Sequence, residues 1–318
     1  MLVQPNQLQH TIEMDHEEPL FSQTVKLDTP GHLRLDGLAD LAVHRPRAPL
    51  RLSEALRRRR RRARGVGTRG VDAIILTPIS PTAVIPVLKK AEAQDIKIVL
   101  LASTIRSDDY DALVTVDDVD FGKAGAEWLA DKLDGKGRII ALNGISGISA
   151  SDDRWKGAKA VFDEYPDIEV ISVVDAGWDY AKAKVAVSNL LAANPEIDGV
   201  WSQGGSMTLG AIDAFEAAQR PLVPMTGEDN NGYLKRWTAL EADGFESVAP
   251  SKPTWLGSEA LLVALDLLQG EEVEKNKLYE VPMITSENLS EFTRDDLSDS
   301  FWANTRLSDE QVRATFQD

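Results

Sequence analysis

Arg138-Ile139-Ile140-Ala141-Leu142-Asn143, followed at once by Gly144-Ile145-Ser146-Gly147-Ile148-Ser149-Ala150, opens the stretch whose rhythm decides the fold. An aliphatic run ends in a polar residue, and a Gly/Ser loop leads into a helical run from about Ser151 to Tyr165. The pattern then recurs. Ile168 to Val174 reads as a strand, Asp175-Ala176-Gly177-Trp178-Asp179 as a junction, and the next helix runs to about Ala193. A third unit follows with strand Gly199 to Ser202, loop Gln203-Gly204-Gly205-Ser206, helix Met207 to Ala218 and strand Leu222 to Thr226, closing at Gly227-Glu228-Asp229-Asn230. Strands and helices alternating at this spacing imply parallel strands joined by right-handed crossovers, which place ligands beyond the carboxyl ends of the strands. The polar junctions therefore share one side of the sheet.

Outward from this stretch the same alphabet continues. Asp72 to Leu76 predicts a buried strand, Pro81 to Gln94 a helix, Lys97 to Leu101 and Leu113 to Val116 two more strands, and Phe121 to Leu133 a helix. Thr254 to Leu268 carries apolar residues at the spacing of a helix with one buried face. Leu278 to Ile284 reads as a strand, and Ser308-Asp309-Glu310-Gln311 as a capping box that starts a short terminal helix.

Over roughly Val71 to Asn288, the order and spacing of these units resemble the type I solute-binding proteins of ABC transporters, the ribose-binding kind. The resemblance implies two doubly wound α/β lobes joined by a three-strand hinge, closing on one sugar or polyol in the cleft between them. It implies a first lobe of 71–116 plus 252–283 and a second of 117–251 plus 284–318. It also implies an extracytoplasmic monomer that hands its ligand to a membrane permease, needs no cofactor or metal, and is not an enzyme. Residue by residue, it assigns a sugar-binding arginine to Arg154, a ring-stacking aromatic to Trp178 and an aspartate to Asp229. Gly204 stands where ribose binders carry an asparagine, and Ala102-Ser103 where they carry an Asp-Arg pair, so ribose itself is not implied. Ser103, Trp155 and Asn230 complete the candidate set. Duller roles compete with each: Arg154 paired to Asp152 or Asp153 at the surface, Trp178 as a lid on the core, Asp229 as a helix cap, Gly204 in a tight turn. On this reading Arg154→Ala weakens binding and leaves stability almost unchanged.

Composition narrows the chemistry. The chain has no cysteine, and its histidines, His10, His16, His32 and His44, all precede residue 50. Thiolate nucleophiles, disulfides and an imidazole base in the βα body are thereby excluded, as are most zinc sites. The acidic runs Asp108-Asp109-Asp111 and Asp117-Asp118-Asp120 lack the spacing of a calcium loop. Residues 71–318 carry net charge −21, so the body repels nucleic acid.

Residues 1–70 are different, with net charge +5 and an unbroken arginine run from Arg57 to Arg62. Readings open for this segment are a solvated tail, a basic arm, or a segment out of register with its family; the last is favoured because family-like sequence resumes abruptly at Gly70-Val71-Asp72. It shows no secretory-signal pattern, and no stretch of the chain approaches the length of a membrane span. The expectation is a first lobe without its first strand, with a bare sheet edge. A ligand-sensing regulator of the lactose-repressor type is the alternative function, kept open by the arginine run, although paired short helices for DNA are lacking.

Overall fold

The computed structural model describes residues 71–316, together with the backbone of 11–14, 22–28 and 32–33. In chain order the elements are β1 (Thr11–Met14), β2 (Ser22–Asp28), β3 (His32–Leu33), β4 (Ala73–Leu76), α1 (Ile85–Glu92), β5 (Lys97–Leu101) and β6 (Ala112–Val116). There follow α2 (Asp118–Lys132), β7 (Lys136–Asn143), α3 (Ser149–Phe162), β8 (Asp167–Asp175), α4 (Tyr180–Ala193), β9 (Gly199–Ser202), α5 (Gly205–Ala217), β10 (Met225–Thr226) and α6 (Asn231–Glu241). The chain ends with β11 (Ser247–Pro250), α7 (Leu256–Gln269), β12 (Asn276–Tyr279), β13 (Met283–Ile284), α8 (Leu289–Phe292) and α9 (Asp309–Phe316).

Two compact units divide the chain. The first takes Met1–Thr115, Leu256–Leu278 and Leu307–Gln311; the second takes Val116–Trp255, Tyr279–Arg306 and Val312–Asp318. In the first, β4, β5 and β6 are parallel, with β4 flanked on its outer edge by β2. Ile98, Leu100, Leu113 and Leu88 meet in its core. β2 runs antiparallel to β4 in the register Ser22↔Leu76 to Val25↔Ala73, and β1 adds antiparallel beyond it. This corrects the expectation of a bare β4 edge. A strand edge offers main-chain N–H and C=O groups, which any extended segment can satisfy whatever its side-chain pattern. The rest of residues 1–70, the Arg57–Arg62 run included, lies outside the described residues.

The second unit is the doubly wound sheet that the alternation predicts, in the order β13-β11-β10-β9-β7-β8. β7 to β11 are mutually parallel, and β13 closes one edge antiparallel. Successive side chains of a strand point to opposite faces. Val200 accordingly packs with Met207, Ala211 and Phe215 of α5, while Trp201 packs with Leu129, Ala158 and Phe162 of α2 and α3. Each such fully buried large side chain contributes about 1.5–3 kcal/mol. From β7 the chain goes out to β8 on one side and then to β9 on the other, so the strand order reverses between β7 and β9. A doubly wound sheet opens a crevice at the carboxyl ends there.

Three expectations shift. The expected strand Leu222–Thr226 shrinks to β10, because Pro221 and Pro224 cannot donate to a ladder. Leu278–Ile284 is not one strand: it breaks around Pro282 into β12 and β13, which belong to different sheets. The helix expected from Pro81 begins only at Ile85, with Pro86 in its first turn. The capping box is present, since Gln311 N donates to Ser308 Oγ and Ser308 N donates back to Gln311 Oε1 at 2.9 Å.

Candidate functional site

Arg154 stands in the first half of α3, buried, at the carboxyl-end side of the second sheet. Its Nε donates to Asp118 Oδ1 at 3.0 Å, Nη1 to the Gln203 carbonyl at 2.9 Å and Nη2 to Glu228 Oε1 at 3.0 Å. The guanidinium also lies 3.6 Å from the Phe121 ring centre. Helices α2 and α3 reach this closeness because Gly122 and Gly157 present bare backbone: a Cβ on Gly122 would collide with the Arg154 carbonyl, and one on Gly157 with that of Val119. Asp118 is the hub of the network, since its Oδ2 accepts from Lys252 Nζ at 2.7 Å. Two cations and two carboxylates thus neutralise one another out of water, the condition under which buried charge is tolerated. Burial pushes the Glu228 carboxyl above its usual range against the pull of Arg154. Burial likewise pulls the Lys252 ammonium down, opposed by Asp118.

Two acceptors beside this network have no partner. Gln203, fully buried at the carboxyl end of β9, donates Nε2 to Asn143 Oδ1 at 3.1 Å and to the Ser151 carbonyl at 3.3 Å. The Ser151 carbonyl can only accept, which fixes the amide orientation and leaves Gln203 Oε1 unpaired. Asp229, fully buried after β10, takes the Asn304 backbone N–H on Oδ2 at 3.0 Å, and its Oδ1 has no hydrogen bond. Burial first, and the Glu228 charge second, push its carboxyl up to about 7, held down in part by Asn304 and the Ser251 hydroxyl. An orphaned buried acceptor costs about 1–3 kcal/mol, so each of these oxygens is a standing demand for a donor. Among the described residues the other buried side-chain polar atoms without a partner are Thr115 Oγ1 and Trp237 Nε1, the latter a donor. Trp237 belongs to the apolar core.

Trp178 lies over this corner. Its indole Nε1 donates to the Gln203 carbonyl at 3.3 Å, and its backbone is held left-handed at φ 56°. The ring is seated against the backbones of Gly144 and Gly204, where a Cβ on either would overlap it. Gly204 therefore makes room for the indole; its backbone before α5 is extended, φ −164°, so the tight-turn role considered for it does not apply. Asn230 is the cap of α6, accepting from Tyr233 N, so the capping role considered for Asp229 falls to its neighbour. Trp155, next to Arg154 in sequence, faces the other way: its ring sits 5.6 Å from Trp201 in the α2–α3 core. Ser103 is buried in the first unit, on the loop after β5.

The structure thus gathers Arg154, Trp178, Asp229 and Gly204, and adds Gln203, Glu228, Asp118 and Asn143. Gln203 and Asn143 each stand at the carboxyl end of a parallel strand, a position that marks them in the sequence. Glu228 shares that mark, in the junction after β10, whereas Asp118 does not, because only packing brings α2 beneath Arg154. Among the described residues no group of acidic or histidine side chains is placed to hold a metal, and no helix is long and apolar enough to cross a membrane.

The chain has relatives among known proteins. The chain is 34% identical to the xylitol-binding protein of Mycolicibacterium smegmatis over 69% of its own length and 63% of that protein. It is 26% identical to the ribose import binding protein of Bacillus subtilis, over 65% of the chain and 66% of the relative. The matches thus span just under two thirds of both relatives. Among solved structures, an ABC transporter solute binding protein from Thermobispora bispora superposes with a TM-score of 0.69 at 25% identity, covering 84% of this chain and 81% of that one. The profile of the periplasmic binding protein domain matches residues 66–272. The chain belongs to the periplasmic binding protein family.

Proposed function

We propose that this protein is the extracytoplasmic solute-binding component of an ABC importer, binding a neutral polyol or monosaccharide reversibly and passing it unchanged to a membrane permease. The unpaired acceptors Gln203 Oε1 and Asp229 Oδ1 carry this reading. A polyol presents a hydroxyl donor on each carbon, which is what two buried acceptors require. Trp178 supplies an apolar ring face for the carbon chain, and the Arg154 hydrogens not committed to Asp118, Gln203 and Glu228 supply donors for hydroxyl oxygens. A ligand carboxylate would meet Asp229 and Glu228 in a buried setting, where like charges repel strongly. The relation to a xylitol-binding protein favours an open-chain polyol over a ring sugar.

Calorimetry with xylitol, D-ribose and the sugar acid D-xylonate tests the reading. Saturable heat with xylitol or ribose, recovery of the ligand unaltered and no heat with xylonate are expected. Preference for xylonate, or conversion of xylitol to a product, would refute it.

A further inference from the structure

After α8 the chain forms a strap, residues 293–306, laid against the loop that carries Asp229. Asn231 is its anchor: Nδ2 donates to the carbonyls of Arg294 at 2.8 Å and Ser298 at 3.1 Å, and Oδ1 accepts from Arg294 N at 2.9 Å. At the far end of the strap, Ala303 N donates to the Asp229 carbonyl at 2.9 Å and Asn304 N to its carboxylate. The Asn304 side chain is itself held on both sides, donating to Ser251 Oγ at 3.2 Å and accepting from Trp255 Nε1 at 3.3 Å. The strap lies beyond residue 272, where the match to the periplasmic binding protein profile ends.

The strap also occupies the start of α6. A helix leaves its first N–H groups unpaired, and they normally make an anion site. Here Asn231 N donates to the Phe301 carbonyl at 2.8 Å and Gly232 N to that of Asp299 at 3.0 Å. Tyr233 N is taken by the Asn230 cap. With these donors used, what the loop offers a ligand is the free carboxylate oxygen of Asp229.

We propose that the strap is a working part of the ligand site: Asn304 is a positioning residue that pins Asp229 by Oδ2 and turns Oδ1 to a ligand hydroxyl, while the strap carbonyls on Asn231 and Gly232 close the helix end to anions. The proposal rests on the polyol reading above. It makes specificity for neutral ligands a property of a segment outside the matched family domain.

Asn304→Pro deletes the N–H that holds Asp229, whereas Asn304→Ala keeps it. The charged groups around Asp229 are Glu228 next to it, with Arg154, Asp118 and Lys252 beyond; on the strap, Arg294 is paired to Asp296 and Arg306 lies over Trp255. A ligand hydroxyl favours ionised Asp229, so xylitol affinity measured by calorimetry should rise as pH passes about 7. The Asn304 N–H also favours the ionised form. Its loss in Asn304→Pro should weaken xylitol binding about tenfold or more at neutral pH and move the midpoint of the profile upward. Asn304→Ala should keep the wild-type midpoint. An unchanged Asn304→Pro, or equal losses in both variants with the midpoint unmoved, would overturn the proposal.

Amide hydrogen exchange of the wild-type protein decides the matter even if Asn304→Pro does not fold. Peptides covering Ala303 and Asn304 should gain protection when xylitol saturates the protein, and no change there overturns the role of the strap. Wild-type protein that binds neither xylitol nor ribose removes the polyol reading itself, a result distinct from binding that ignores Asn304.

Discussion

Arg154 and Glu228 form a buried ion pair, Nη2 to Oε1 at 3.0 Å, between the first half of α3 and the loop after β10. Asp118 closes the same guanidinium from α2. The sequence reading expected Arg154→Ala to cost binding and spare the fold, but an arginine that holds three segments of the unit together cannot be removed so cheaply. Leaving Glu228 buried without its cation, and Asp118 with Lys252 alone, should destabilise the protein by about 3–5 kcal/mol. Urea unfolding of Arg154→Ala measures this, and a loss below 1 kcal/mol would put the arginine in a solvated setting.

Asp229 makes stability depend on pH in an unusual direction. Its carboxyl is pushed up to about 7 in the folded protein from an ordinary value of 3.8. The folded state therefore binds more protons than the unfolded chain between those values, and stability falls as pH rises from about 4 to about 7. Each tenfold change in proton affinity is about 1.4 kcal/mol, so the full window is worth roughly 4 kcal/mol at most. Asp229→Asn should flatten this part of the profile and gain stability above it, at the cost of ligand affinity. Thermal unfolding of both proteins across the window checks it; parallel profiles would mean that Asp229 ionises normally.

Gly204→Ala puts a methyl group where the Trp178 indole sits. Trp178 cannot withdraw easily, because its Nε1 is tied to the Gln203 carbonyl. The substitution should destabilise by about 1–3 kcal/mol through overpacking and alter indole fluorescence. Wild-type stability and an unchanged emission spectrum would show open space beside Gly204.

Deleting residues 1–70 would strip β2 from β4 and bare a ladder of main-chain donors and acceptors next to the buried, aliphatic Ala73–Leu76. Such an edge recruits other strands. The shortened protein should form larger species in light scattering at concentrations where the full chain stays dispersed. Equal dispersity of the two would mean that β2 does not protect this edge.

Local pattern carried most of the architecture. The strand Gly199–Ser202, the helix ending at Ala193 and the capping box at Ser308 follow from side-chain periodicity and end signals, which neighbours along the chain dictate. The parallel order of strands made the polar junctions share one side, where Arg154 and Trp178 both donate to the Gln203 carbonyl and Arg154 pairs with Glu228, the neighbour of Asp229. Pairing across the fold decided the rest. No periodicity foretold that β2 would join β4, since edge pairing is satisfied by backbone groups common to every residue. The sequence likewise left Arg154 with Asp152 or Asp153 as neighbours, whereas the fold gave it Asp118 and Glu228 from distant segments. Burial then turned those carboxylates into structural partners and left the acceptors of Gln203 and Asp229 open, a distinction made by solvent exclusion and distance, which only the tertiary structure sets.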